Sequence, residues 1–288
     1  MLKLMRLPAR LLRRKADSHK ADYGRILVLA GSPRFSGAAL LSAEAALRSG
    51  AGLVTVGIPA GINAAVIKNK TKEVMTLPLP ENKDGTLSMA ALSKIKSFLE
   101  NADILIIGPG LGRNKSTWAL VRKIVGGLNL PMVIDADALN ALSGNLKALK
   151  RHKAQVILTP HPKEMANLFG IDLERVKKSR KLVAKKCAKD YNSTIILKGH
   201  QSIVTDGGSK FYINKTGNSG MATAGSGDVL SGIAGAFLGQ GLDAFNAAKF
   251  AAYIHGLAGD IAAEDKTQMG MIASDIIERI PDALKKSS

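Results

Sequence analysis

The stretch from residue 26 to residue 58 narrows the possible folds more than any other part of this chain. An apolar run, Ile26–Ala30, has strand length and ends at Gly31-Ser32. Ser36-Gly37-Ala38-Ala39 opens a small-residue helix through Arg48, Gly50-Ala51-Gly52 ends it, and Leu53–Ile58 reads as a second strand. Strand, glycine-rich turn, helix, strand is a βαβ unit. Two strands joined that way lie parallel, because the helical crossover returns the chain to the same end of the sheet. The alanines at 38, 39, 43, 45 and 46 let the helix pack close to the sheet, although they would equally leave room for a ligand.

The alternation continues down the chain, which argues for an α/β fold. Leu87–Leu99 reads as a helix, and Asp103–Ile107 as an apolar strand running into Gly108-Pro109-Gly110-Leu111-Gly112. Further strands are expected at Met132–Ile134, Gln155–Leu158 and Thr194–Leu197. They end in Asp135-Ala136-Asp137-Ala138-Leu139-Asn140, in Thr159-Pro160-His161-Pro162 and in Lys198-Gly199-His200. In an open α/β sheet, ligands bind beyond the carboxyl ends of the strands. These loops and the Gly31 turn should therefore line one edge. Ser202–Thr205, a Gly207-Gly208 turn and Lys210–Ile213 read as a hairpin. Val229–Leu238 and Ala244–Glu264 read as long buried helices, and Ala273–Ile280 as a terminal helix stopped by Pro281. No repeat, low-complexity tract or long linker breaks the pattern, so one domain over residues 1–288 is expected. Residues 1–20 form its basic amphipathic lead-in, without the apolar core and cleavage site of a secretory signal.

The stretch most suggestive of chemistry is residues 214–232, which passes from Asn-Lys-Thr-Gly-Asn-Ser-Gly-Met-Ala-Thr-Ala into Gly225-Ser226-Gly227-Asp228 and an apolar helix. Small residues there leave bare amides at a helix N-terminus, a ready site for a phosphate. Asp228 at that place has two readings. It caps the helix, or it takes the proton of a hydroxyl that receives a phosphoryl group. Four residues alone support both.

Composition removes other function classes. The net charge of +18 admits a nucleic-acid partner. The excess, however, sits mainly in the first 20 residues, Lys147–Lys153 and Arg175–Lys189. The last reads as one helix with Val176, Leu182, Val183 and Cys187 toward a core, hence a solvated basic face. With 4% aromatics there are few base-stacking surfaces, and no nucleic-acid partner is expected. No apolar run approaches the roughly 20 residues of a membrane span. A lone cysteine, Cys187, excludes an internal disulfide and fits a reducing cytoplasm. Five histidines without ligand spacing speak against a protein-built metal site.

Taken together, several motifs resemble one family. They are His19-Lys20-x-Asp22-Tyr23-Gly24, Gly37-Ala38-Ala39, Gly50-Ala51-Gly52-Leu53-Val54-Thr55-Val56, Gly108-Pro109-Gly110-Leu111-Gly112, Asp135-Ala136-Asp137-Ala138-Leu139-Asn140, Thr159-Pro160-His161-Pro162, Lys198-Gly199 and Asn218-x-Gly220-Met221-Ala222-Thr223-x-Gly225-Ser226-Gly227-Asp228. The chain resembles the ADP/ATP-dependent NAD(P)H-hydrate dehydratases, ribokinase-like proteins that repair hydrated nicotinamide cofactors. The resemblance implies a three-layer α/β/α fold with a mostly parallel central sheet. It implies hydrated NADH or NADPH as substrate, ADP or ATP as phosphoryl donor, and Mg2+ on the nucleotide phosphates without a dedicated cage. Asp228 would deprotonate the hydroxyl while Gly225, Ser226 and Gly227 hold the phosphoryl group. Ala39, Gly110, Gly112, His161 and Asp228 match positions that contact the hydrated cofactor; Lys198, Gly199, His200, Gln201, Ser202 and Gly227 match nucleotide positions. A homo-oligomer, in tetrameric form, is the implied assembly. The chain departs from the family at Ala21, Lys163 and Ala224, where glycine is common, and at Lys215 and Ser219, where proline is frequent. Bacterial-type members of the family, single-domain or fused to an epimerase, typically use ADP and eukaryotic ones ATP, so the short single-domain form expected here favours ADP. The competing expectation is a ribokinase-like small-molecule kinase of the hydroxymethylpyrimidine or thiazole type, which would share Asp228 and the anion hole but release a phosphomonoester.

Overall fold

The structure, a computed structural model, describes residues 5–288. In chain order its helices and strands are α1 (Ala9–Leu12), β1 (Arg25–Leu29), α2 (Ser36–Arg48), β2 (Leu53–Pro59), α3 (Asn63–Asn69), β3 (Met75–Leu79), α4 (Leu92–Leu99), β4 (Ile104–Ile107), α5 (Lys115–Gly127), β5 (Met132–Ile134), α6 (Ala136–Leu142), α7 (Lys147–Arg151), β6 (Val156–Leu158), α8 (Pro162–Phe169), α9 (Leu173–Lys178), α10 (Arg180–Asp190), β7 (Thr194–Leu197), β8 (Ile203–Thr205), β9 (Phe211–Ile213), α11 (Ser226–Gly239), α12 (Ala244–Gly270) and α13 (Ala273–Lys286). One nine-stranded sheet runs in the order β3-β2-β1-β4-β5-β6-β7-β8-β9. Neighbours are parallel from β3 through β7 and antiparallel from β7 to β9.

The strands are short apolar runs because both their faces are covered. Side chains alternate between two cores. Ile26, Val28, Val54, Val56, Ile104, Ile106, Val133 and Ile157 meet buried residues of α2, α11, α12 and α13 on one side. Leu27, Leu29, Leu105, Ile107, Met132, Ile134 and Leu158 meet those of α4, α5, α6, α8 and α10 on the other. This is the expected three-layer α/β/α arrangement, in which a one-residue slip would reverse every strand's faces.

Two sequence expectations are corrected, and one strand is added that the sequence did not suggest. Pro281 does not stop the last helix, which runs on to Lys286. Pro281 is exposed, and Ile276, Ile277, Ile280 and Ala283 bury the opposite face. That packing outweighs a lost hydrogen bond of the kind that costs about 3 kcal/mol in an unsupported helix. The basic segment from Arg175 is two helices, not one, because Ser179 leaves helical geometry (φ −126°, ψ 38°). The register of α10 then turns Val183 and Cys187 inward but leaves Leu182 71% exposed. Finally, β3 is an edge strand containing Pro78, a residue that disguises a strand in sequence yet is tolerated where one side needs no ladder bond.

Candidate active site

The chain lays down β1, β2 and β3 outward, then crosses to place β4 on the other side of β1. Loops leaving β1 and β4 therefore diverge, and the crevice between them is where an open α/β sheet takes a ligand. The two loops are tied together: the Gly31 amide donates to Pro109 O at 2.8 Å, and Ser32 Oγ donates to Gly110 O at 2.7 Å. Gly108 has φ 131°, and a Cβ there would run into the carbonyl of Asp135. Only glycine lets the β4 and β5 loops approach so closely. The same pair of loops is joined again where the Gly112 amide donates to Asp137 Oδ2 at 2.9 Å. Two non-glycine residues at these loop tips, Ala136 (φ 48°) and Gln201 (φ 54°), are left-handed, a strain that packed scaffolds tolerate chiefly at functional sites.

A buried charge network lies beside the crevice. Asp135, only 1% exposed, is not an ordinary helix cap; its side chain caps nothing. Its Oδ1 accepts from Lys198 Nζ at 2.9 Å and its Oδ2 from Ser231 Oγ at 2.6 Å. Glu164 Oε2 stands 3.8 Å from the same ammonium. Burial pushes Asp135 up and Lys198 down, but the attraction between them prevails, so Asp135 stays below and Lys198 above its ordinary pKa. Both remain charged at neutral pH. A Cβ on Gly227 would sit 3.3 Å from Lys198 Nζ, so the ammonium rests directly on the first turn of α11.

That first turn is uncapped. Its N-cap position is Gly225 (φ 88°), and no side chain bonds its amides. Asp228 is the third residue of the helix, not the N-cap, and among the described residues its carboxylate takes no protein hydrogen bond. The capping account of Asp228 therefore finds no hydrogen bond to support it. Instead Asp228 is partly buried, and its pKa is raised to about 7, first by burial and then by Asp135; Lys198 opposes, while Asp137 and Glu164 add to the rise. A carboxylate held near neutrality in a polar crevice suits a proton acceptor.

The other residues singled out in the sequence fall as follows. Gly110 and Gly112 form the β4 loop of the crevice. His161 is no core histidine: its side chain is 48% exposed, and its Nδ1 accepts from the Lys163 and Glu164 amides, capping α8. Ala39 has no exposed surface; it packs beneath the β1 loop, 3.4 Å from where a Gly31 Cβ would be. Its position shapes the loop rather than offering a side chain to a ligand. Lys198, Gly199, His200, Gln201 and Ser202 make one turn at the end of β7, with Ser202 Oγ donating to Gly199 O at 3.0 Å. Ala224 takes φ below zero, so the alanine costs no left-handed strain.

Sequence reasoning missed several members. Arg180 clamps the β7 turn by donating to His200 O at 2.6 Å, Leu197 O at 3.3 Å and Lys198 O at 3.4 Å. Glu164, Ser231 and His255 also stand at the site. Only the His161–Glu164 spacing, a capping pattern at a helix start, was visible in one dimension. The motif around Asn218 is a loop fastener: Asn218 Nδ2 and the Gly217 amide both bond Asp260 of α12, at 3.0 and 2.9 Å.

The profile of the NAD(P)H-hydrate dehydratase family matches residues 26–282. The bifunctional NAD(P)H-hydrate repair enzyme of Moorella thermoacetica is 44% identical over 277 residues, covering 96% of this chain and 52% of that protein. The chain thus spans about half the length of several curated relatives it matches. An ADP-dependent (S)-NAD(P)H-hydrate dehydratase of Neisseria meningitidis is 36% identical, covering 94% of this chain and 88% of that one. Among solved structures, the ADP/ATP-dependent NAD(P)H-hydrate dehydratase of Bacillus subtilis, co-crystallised with ATP and Mg2+, superposes with TM-score 0.82 at 26% identity over 100% of both chains. A hydroxyethylthiazole kinase of Pyrococcus horikoshii, at 15% identity and TM-score 0.61, shares the fold.

Proposed function

The chain belongs to the NAD(P)H-hydrate dehydratase family, and from that premise we propose that it acts as a nucleotide-dependent lyase on hydrated NADH and NADPH. The observation that most supports this reading is the raised carboxylate of Asp228 beside the uncapped amides of α11 and the buried Lys198 ammonium. Hydroxide leaves carbon poorly. In the proposed reaction Asp228 takes the proton of the substrate hydroxyl, whose oxygen bonds to the terminal phosphorus of the nucleotide. The bridging phosphorus–oxygen bond breaks, releasing AMP from ADP or ADP from ATP. The α11 amides and Lys198 stabilise the negative charge on the phosphoryl oxygens. Phosphate then leaves with the carbon–oxygen electron pair, and loss of a proton from the adjacent ring carbon restores the double bond.

Gly110, Gly112 and His161 would border the nicotinamide side, with Ala39 setting the shape of the β1 loop. The β7 turn, from Lys198 to Ser202, would take the nucleotide. We favour ADP as donor, a cytoplasmic setting, the described chain working as one catalytic domain, and a homotetramer. The exposed Met269 and Ile272 are apolar surface that an assembly would cover.

Among the described residues no three His, Cys, Asp or Glu side chains stand close enough to cage a metal. A Mg2+ ion carried on nucleotide phosphates asks for no more than one or two carboxylates, and Glu164 beside Lys198 could supply one. Such an ion would neutralise part of the phosphate charge. The test is direct: hydrated NADH with ADP or ATP, followed by absorbance of the reduced ring and release of free phosphate. Accumulation of a stable phosphomonoester would instead establish a small-molecule kinase.

A further inference from the structure

One polar group near the crevice has no part in the reaction just described. His255 lies on α12, flanked by the buried Ala251, Ala252, Ile254, Ala258 and Gly259. The residue as a whole keeps some solvent exposure, but its Nε2 end is directed at α11, and a ring nitrogen drawn away from water is costly unless it is hydrogen-bonded. Among the described residues its one protein partner is Ser226, whose Oγ stands 3.2 Å from His255 Nε2. Ser226 is the first residue of α11 and is itself 8% exposed.

The turn that Ser226 belongs to is soft by composition. Gly225 and Gly227 flank it, and glycine surrenders more conformational freedom on ordering than any other residue. Yet its amides are the groups that must be aimed at a phosphoryl group within a few tenths of an ångström. Gly227 is tied from below, its carbonyl accepting from Ser231 Oγ at 3.2 Å. Beyond the bonds internal to α11, the ties recorded for Ser226 are His255 at its hydroxyl and a long bond of 3.4 Å from its amide to Thr223 O.

We propose that His255 is a positioning residue that holds the Ser226 hydroxyl, and through it the first turn of α11, in the geometry that receives the transferring phosphoryl group. The imidazole can do this as a neutral group. Burial lowers its pKa to about 4; a hydrogen bond to the Ser226 backbone opposes that shift, and the Lys198 ammonium adds a smaller push in the same direction as burial. A second fixed positive charge beside Lys198 is thereby avoided.

The proposal rests on the reading of the site as a phosphoryl-transfer centre, and a double-mutant cycle separates the two. His255→Leu, Ser226→Ala and the double variant are compared for turnover of hydrated NADH with ADP and for ADP binding by calorimetry. His255→Gln, whose amide reaches as far as Nε2, serves as the rescue. Loss of one positioning hydrogen bond predicts a fall in kcat of about tenfold in His255→Leu and weaker ADP binding by roughly threefold. The double variant should be no worse than the poorer single one, because the two residues act as a unit. His255→Gln should recover to within about threefold of the parent. Multiplying losses in the double variant, or no recovery in a His255→Gln protein with a parental melting curve, overturns the proposal. If the parent protein turns over no hydrated NADH, the dehydratase reading fails, and the ADP-binding cycle still decides whether His255 acts through Ser226.

Discussion

Replacing Asp228 with asparagine should damage activity and improve stability at once. The carboxyl moves from an ordinary 3.8 to about 7 in the fold, chiefly because burial and Asp135 disfavour its charge. At about 1.4 kcal/mol per pH unit, that is at most about 4 kcal/mol. Asp228 is only partly buried, and solvent screening reduces the figure to on the order of 1–2 kcal/mol. The sign follows from linkage. A carboxyl whose folded pKa is raised binds its proton more tightly when native. Stability is therefore lost as pH rises from about 4 through about 7, and stays lost above. Asparagine, always neutral, escapes that loss. Asp228→Asn should melt roughly 2–4 °C higher than the parent near pH 8, with the gain vanishing near pH 4. Turnover should fall by roughly 10²-fold or more, while nucleotide binding is retained. In the parent, kcat/KM should rise with pH to a plateau through an apparent pKa near 7, since the base must be ionised. Calorimetric melts across that range and a pH–rate profile check both halves. Near-parental turnover in Asp228→Asn would remove the base assignment. A flat profile between about pH 6 and pH 8, with no stability gain, would refute the raised pKa.

Two further perturbations probe the scaffold of the site. Lys198→Met strips the buried Asp135 of its cation and leaves it the neutral hydroxyls of Ser231 and Thr159; it should cost about 3–5 kcal/mol at neutral pH. The loss should shrink as the pH is lowered and the orphaned carboxyl protonates, which denaturant titrations at two pH values will measure. Gly108→Ala adds a Cβ against the Asp135 carbonyl at a φ of 131°. It should lose more than about 3 kcal/mol, seen as a melting point lower by roughly 6 °C or more.

The extent to which the chain could be read in one dimension follows from the range of the forces involved. Apolar runs such as Ile26–Ala30 and Met132–Ile134 are buried on both faces, so their hydrophobicity alone marks them as strands of a covered parallel sheet. Glycine at 108, 110 and 225 is demanded by local backbone geometry, and it shows in the sequence because no other residue meets that demand cheaply. The His161–Glu164 cap is equally local. Pro281 misled because its local penalty is real and is overcome only by the packing of Ile276, Ile277 and Ile280 against other helices.

What tertiary structure alone decided is the electrostatic character of the site. Lys198 lies 63 residues from Asp135, and Ser231 lies 96 from it; no periodicity or spacing links them. Local composition shows that Asp228 and Asp135 are present, but it cannot say that one is left half-neutral and the other kept ionised. Burial and the direction of one ammonium group make that distinction, and both arise only when the carboxyl ends of separate strands and the start of α11 are folded onto the same edge. Backbone conformation is settled within a few residues and can be read from them; a proton's affinity depends on every charge and every water excluded within several ångströms, whatever their distance along the chain.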